Sequence, residues 1–166
     1  MTKAFNLKKN AFTLIELLIF MGIFSGLTLV CTQLLASVLE VQTESKTLTN
    51  VQLDGNYLSS RISYDLTRAD SIDLPASLGD QTTSLQLTID GGTYSFSLNN
   101  GNLILTHPGG SDALNSYDSV ISGLTFLRLG NSNGKNSIRI NYTVTSRTQK
   151  ASGSEAKSYQ TTIGTR

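Results

Sequence analysis

The chain has one cysteine, Cys31, one histidine, His107, two prolines and no tryptophan among its 166 residues. A lone cysteine closes no disulfide within the chain and provides no thiolate cage for a metal. A lone histidine gives no metal-spaced imidazole cluster. No serine stands in a G-x-S-x-G elbow, and no glycine-rich phosphate loop runs into a lysine followed by serine or threonine. These absences argue against an enzyme, and His107, next to Pro108 and two glycines, reads as a loop residue. Charge is sparse as well. Only 15% of the residues are charged and the formal net charge is +1, too little for a general attraction to nucleic acid or to an anionic surface.

What the sequence has in quantity is a long apolar run. From Leu17 to Leu39 it reads LLIFMGIFSGLTLVCTQLLASVL without a charge, and about 20 residues rising 1.5 Å each suffice to cross a hydrocarbon core. The run exceeds the roughly 7 to 15 apolar residues of a secretory signal, and ASV at Ala36 to Val38 is a poor cleavage site. Lys3, Lys8 and Lys9 precede it and the next basic residue is Lys46. The positive-inside bias therefore predicts a single span in the cytoplasmic membrane, with a cytoplasmic amino terminus and the rest of the chain extracytoplasmic.

Glu16 interrupts this apolar character, at a cost of about 2.5–3.5 kcal/mol for a carboxylate deep in a bilayer and less near its surface. The nearest upstream lysine, Lys9, is too distant for the i,i+4 spacing at which helical ion pairs meet. A cut between Ala11 and Phe12 would create a cationic α-amine four residues before Glu16, about 6 Å along a helix axis. That amine would meet Glu16 of the same chain or of an adjacent copy.

The stretch KKNAFTLIELLIF, residues 8 to 20, resembles the leader and mature start of type IV pilins and type II secretion pseudopilins. In that family a membrane prepilin peptidase removes a short basic leader before a phenylalanine, the new amine is methylated, and the fifth mature residue is glutamate. Phe12 would then be the first mature residue and Glu16 the fifth, with Ala11 standing where the family usually has glycine. The resemblance implies an assembly role for Glu16. It also implies as partners the peptidase, other pilins or pseudopilins, an inner-membrane assembly platform and membrane lipid. Gly22 and Gly26, in GIFSG, have the spacing that lets transmembrane helices approach closely.

Past the membrane segment Leu48, Val51, Leu58, Ile62, Leu66 and Ala69 recur at three- and four-residue spacing, and no proline intervenes before Pro75. This predicts one helix from Phe12 to about Asp70, with Gly55 as a bend. Arg61, Asp65 and Arg68 read as exposed helical charge pairs. After Pro75, alternating stretches predict strands at SLQLTID, TYSFSL, NLILTH, SVISGLTFLRL, SIRINYTVTS and YQTTIG, with a tight hairpin at Asn100-Gly101. Loops are expected at residues 74–83, 107–117, 130–136 and 148–158. The fold class is therefore α+β, a long amino-terminal helix covering one face of a mainly antiparallel sheet, as pilins have. The expected parts are a leader (1–11), a membrane or filament-core helix (12–39), its amphipathic continuation (40–73) and an extracytoplasmic sheet domain (74–166).

The V-x-G-L-x-F strand pattern and the late strand ending near an arginine resemble minor pilins and pseudopilins of the J and W types. The sequence points to no required cofactor. Asp112 and Asp118, in GGSDALNSYD, are candidate Ca²⁺ ligands, as in pseudopilins that hold calcium in a loop. Residues 126–166 are rich in Arg and Lys, so a DNA contact, as in competence pili, stands beside pairing of those bases with acidic residues such as Glu40, Glu44, Asp54 and Asp65. A membrane-anchored binding domain that never polymerises is the reading from another class.

Overall fold

A computed structural model of the chain describes residues 13–130, 135–150 and 153–165. Among these residues one helix, α1 (Leu14–Arg68), is followed by nine strands: β1 (Ser71–Leu74), β2 (Gln81–Thr82), β3 (Leu85–Ile89), β4 (Gly92–Asn99), β5 (Asn102–His107), β6 (Gly110–Ala113), β7 (Ser119–Leu129), β8 (Ser137–Lys150) and β9 (Gly153–Gly164). The chain divides into two compact units, residues 1–43 and 44–166. The class is α+β, with a long apolar helix packed on antiparallel sheets. There are two such sheets rather than the single one expected, in the orders β1-β3-β4-β5-β6 and β2-β7-β8-β9.

The helical stripe reads out as the core of the second unit. Val51, Leu58, Ile62 and Leu66 are fully buried, against Leu85, Leu87, Phe96, Leu103 and Leu105 of the first sheet and Phe126, Ile138, Ile140 and Val144 of the second. Each such side chain contributes about 1.5–3 kcal/mol of burial. Leu48, placed in the stripe by its spacing, is instead 41% exposed, and the buried residue of that turn is Thr47, whose hydroxyl donates to the Glu44 carbonyl.

Two tight hairpins set the register of the first sheet. Asn100 and Gly101 both have positive φ, 48° and 79°, as expected at that turn. Asp90 and Gly91 (50° and 74°) make a second, at a D-G pair of the same chemistry. A hydrogen bond from Ile121 N in β7 to Gly101 O, at the turn between β4 and β5, ties the two sheets together, while Leu114 N to Leu103 O extends the β5–β6 pairing.

Several expectations need correction. The predicted loop at 74–83 contains β2, and that at 107–117 contains β6. The predicted loop at 148–158 is mostly strand, because β8 and β9 continue their pairing past a register shift between Thr145 and Gln149. The loop predicted at 130–136 lies largely outside the described residues. Gly55 is no bend. It sits inside a continuous helix and is buried beneath the Tyr159 ring, which a Cβ at this position would overlap.

The carboxylate of Asp65 is not exposed but 1% accessible, held by Arg61 Nε at 2.9 Å. Burial pushes its carboxyl above the ordinary aspartate range, while Arg61 and, more weakly, Arg68 and His107 pull it down. A raised folded pKa means that the contribution of this group to stability is full below the unfolded value near 3.9 and is lost as pH rises through the folded value. Asp65→Asn removes the titration but keeps an acceptor for Arg61. Its stability relative to the natural chain is expected to rise as pH climbs from below about 4 toward neutrality, read from urea midpoints along that pH series. A constant difference would show that Asp65 titrates normally.

Candidate functional site

The described residues of the first unit are helical from Leu14 onward, and every one of them is exposed. The large apolar side chains among them range from 52% exposed at Leu17 to 78% at Leu14, and Cys31 is exposed among them. The helix is long and apolar enough to cross a membrane, and none of its most apolar stretch is buried. Its polar side chains are arranged to suit such surroundings. Thr28 donates its hydroxyl to Phe24 O and Thr32 to Thr28 O, each at 2.8 Å, so neither hydroxyl requires water. Phe20 and Phe24 stack one turn apart.

Glu16 stands in the first turn of this helix, exposed, and forms no ion pair among the described residues. Its backbone N–H donates to Thr13 O at 3.1 Å, with Thr13 Oγ1 at 3.4 Å. Thr13 is thus the residue that opens the helix, and T-L-I-E has the S/T-x-x-E spacing of a capping box. That signal was present in the sequence and is the one feature of this end that the charge-centred reading missed. A carboxylate in a first turn is also favoured by the helix dipole, by about 0.3–1 kcal/mol. Beside Glu16 the helix surface forms a shallow apolar groove lined by Ile15, Ile19, Phe20 and Ile23. The expected cleavage and methylation positions, Ala11 and Phe12, lie outside the described residues, as do Lys3, Lys8 and Lys9.

Gly22 and Gly26 face open space, with nothing within 4 Å of a Cβ added at either. Both positions are free for close approach by another helix. Asp112 accepts from His107 Nε2 at 3.0 Å, while Gly109 N donates to His107 Nδ1, an arrangement the neutral imidazole satisfies. Asp118 is engaged through its backbone carbonyl by Arg147 N. Among the described residues no three His, Cys, Asp or Glu side chains come together as metal ligands, so Asp112 and Asp118 are not joined in such a group.

Three of the basic residues of the carboxy-terminal region are engaged within their own unit. Arg128 Nη1 donates to the carbonyls of Ile72, Pro75 and Ala76, Arg147 Nε donates to Ser119 O, and Lys150 pairs with Glu155 at 3.1 Å and Glu44 at 3.8 Å. Of the acidic helical residues expected to meet this region, Glu44 does so. Asp54 instead accepts from Ser116 and Ser119, clipping the start of β7 and the loop before it to the helix.

A second cluster joins the helix to β8 and β9. Tyr142, 2% exposed, donates its hydroxyl proton to Gly55 O at 2.7 Å, so Ser59 Oγ, 2.6 Å away, donates to the tyrosine oxygen. Tyr159 stacks on Tyr142 at 5.3 Å and donates to Val51 O. Burial raises both phenols above their ordinary range. This is a structural clasp, and it leaves the exposed helix as the part of the molecule with an unfilled role.

Comparisons of the chain with protein-family models, with curated proteins and with solved structures find no match.

Proposed function

We propose that this chain is a structural subunit, of the minor kind, of a type IV pilus or type II secretion pseudopilus. In this reading a prepilin peptidase cuts it between Ala11 and Phe12, Phe12 is methylated, and the helix starting there packs among the helices of other subunits. The reading rests on one observation above all: a carboxylate, Glu16, opens a helix whose apolar first part is exposed throughout, and it has no cationic partner among the described residues. A carboxylate so placed suits a partner made by processing or by a neighbouring subunit. The chemistry is done on the chain and not by it.

One observation favours a second reading, a domain anchored by its helix that never polymerises. The Thr13–Glu16 cap and the helix dipole account for an acidic residue at this position without any assembly partner. Expression in a cell carrying the assembly machinery separates the two. Filaments sheared from such cells, or a pseudopilus driven to extend, are expected to contain the chain. Recovery from the membrane fraction alone would favour the anchor.

A further inference from the structure

The two sheets end in four edge strands of very different length. β1 and β6 have four residues each and β2 has two, whereas β9 has 12. On the far side of its sheet β7 is already covered, by β2 at Thr82–Phe126 and Gln81–Leu127, by bonds between Arg128 and the Gly79–Asp80 backbone, and by Gly101. β9 pairs with β8 alone among the described residues, so its other backbone edge is open. From Ala156 to Gly164 that edge follows β8 without a register shift. Edges of this kind are ordinarily blunted by proline, bulges or charged side chains, lysine above all. This run has no proline and no bulge, and its charge is Lys157 alone. The residues it shows on its outer face, Ala156, Ser158, Gln160 and Thr162, are exposed, uncharged and modest in size.

We propose that β9 is a pairing edge for a second copy of this chain, joined antiparallel about a two-fold axis at Gln160. That register uses the whole straight run. It sets Ser158 opposite Thr162, Tyr159 opposite Thr161, and Lys157 opposite Ile163, so no like charges oppose each other. The Ser158–Thr162 match repeats a pairing already present across β8 and β9, where Thr143 Oγ1 and Ser158 Oγ lie 2.9 Å apart. Because the two strands are identical, each match forms twice, the condition for an isologous interface. Backbone hydrogen bonds between the strands supply the attraction, as in other strand additions. The contact is independent of helix packing and goes beyond the filament reading.

The test uses the full chain in detergent with Cys31→Ser. Gln160→Cys at the two-fold meets its own copy at about 4.5–5.5 Å between Cα atoms, within disulfide reach. Ser122→Cys, exposed on β7, reports random collision. Mild oxidation is expected to cross-link the Gln160→Cys chain at least about tenfold faster than the Ser122→Cys chain. Adding Ser158→Lys and Thr162→Lys sets lysine against lysine twice and slows the reaction by about tenfold. Mixing that chain with a Ser158→Glu, Thr162→Glu partner restores it, as heterodimers. All these side chains are exposed, and unfolding curves check that the fold is kept. Equal rates at 160 and 122, an indifferent lysine pair, or no recovery in the charge-swapped mixture would each overturn the proposal.

Discussion

Glu16→Gln is expected to leave the helix and the folded sheet domain unchanged and to remove the chain from filaments. Glutamine serves at the third position of a capping box as glutamate does, so the Thr13 cap survives the change. The negative charge does not survive. If Glu16 is retained for a cationic amine, its own or a neighbour's, losing that attraction in an apolar setting costs well over the 1.4 kcal/mol that makes a tenfold difference in occupancy. Incorporation into sheared filaments should fall by at least about tenfold, with the amount of chain in the membrane unaltered. Glu16→Ala removes cap and charge together and should fall as far. If the glutamine chain incorporates normally while the alanine chain does not, Glu16 acts through the helix end alone. The quantity to measure is the ratio of filament to membrane signal for the three chains.

The second large effect falls at Gly55. Helix propensity alone favours alanine over glycine by about 1 kcal/mol. Here the sign is expected to reverse, because the added Cβ overlaps the Tyr159 ring. Moving that ring breaks its stack on Tyr142 and its bond to Val51 O, and pressing the helix away strains the Tyr142–Gly55 bond. Overpacking of this sort costs about 1–3 kcal/mol, so Gly55→Ala should lower the urea midpoint of the sheet domain. Gly26→Ala, at a position facing open space, should leave that midpoint unchanged. Equal behaviour of the two variants would mean that Tyr159 yields freely and that the clasp is not a fixed feature.

What could be read from the sequence divides by the range of the interactions involved. The buried stripe of Val51, Leu58, Ile62 and Leu66 and the turn at Asn100-Gly101 depend on neighbours within a few residues, and both appear as expected. The short strands β1, β2 and β6 are set by distant partners, as Gln81 is by Leu127, and carry too few residues for a period of two to show. Gly55 has the same local signature whether it bends a helix or admits a ring, and Tyr159 lies far along the chain. Arg61 and Asp65 likewise have i,i+4 spacing on an open or a covered face, and only the packing shows that Asp65 is buried. At the candidate site the odd carboxylate and the apolar run could be read in advance. Their meaning is harder to read, because T-x-x-E and a processed amine each give a reason for Glu16.

Cleavage decides between those reasons most directly. Coexpression with a prepilin peptidase, followed by mass measurement of the amino-terminal peptide, is expected to give a mature chain beginning at a methylated Phe12. A chain that keeps residues 1–11, or one whose new terminus falls anywhere else, would contradict the proposal that processing supplies the partner of Glu16.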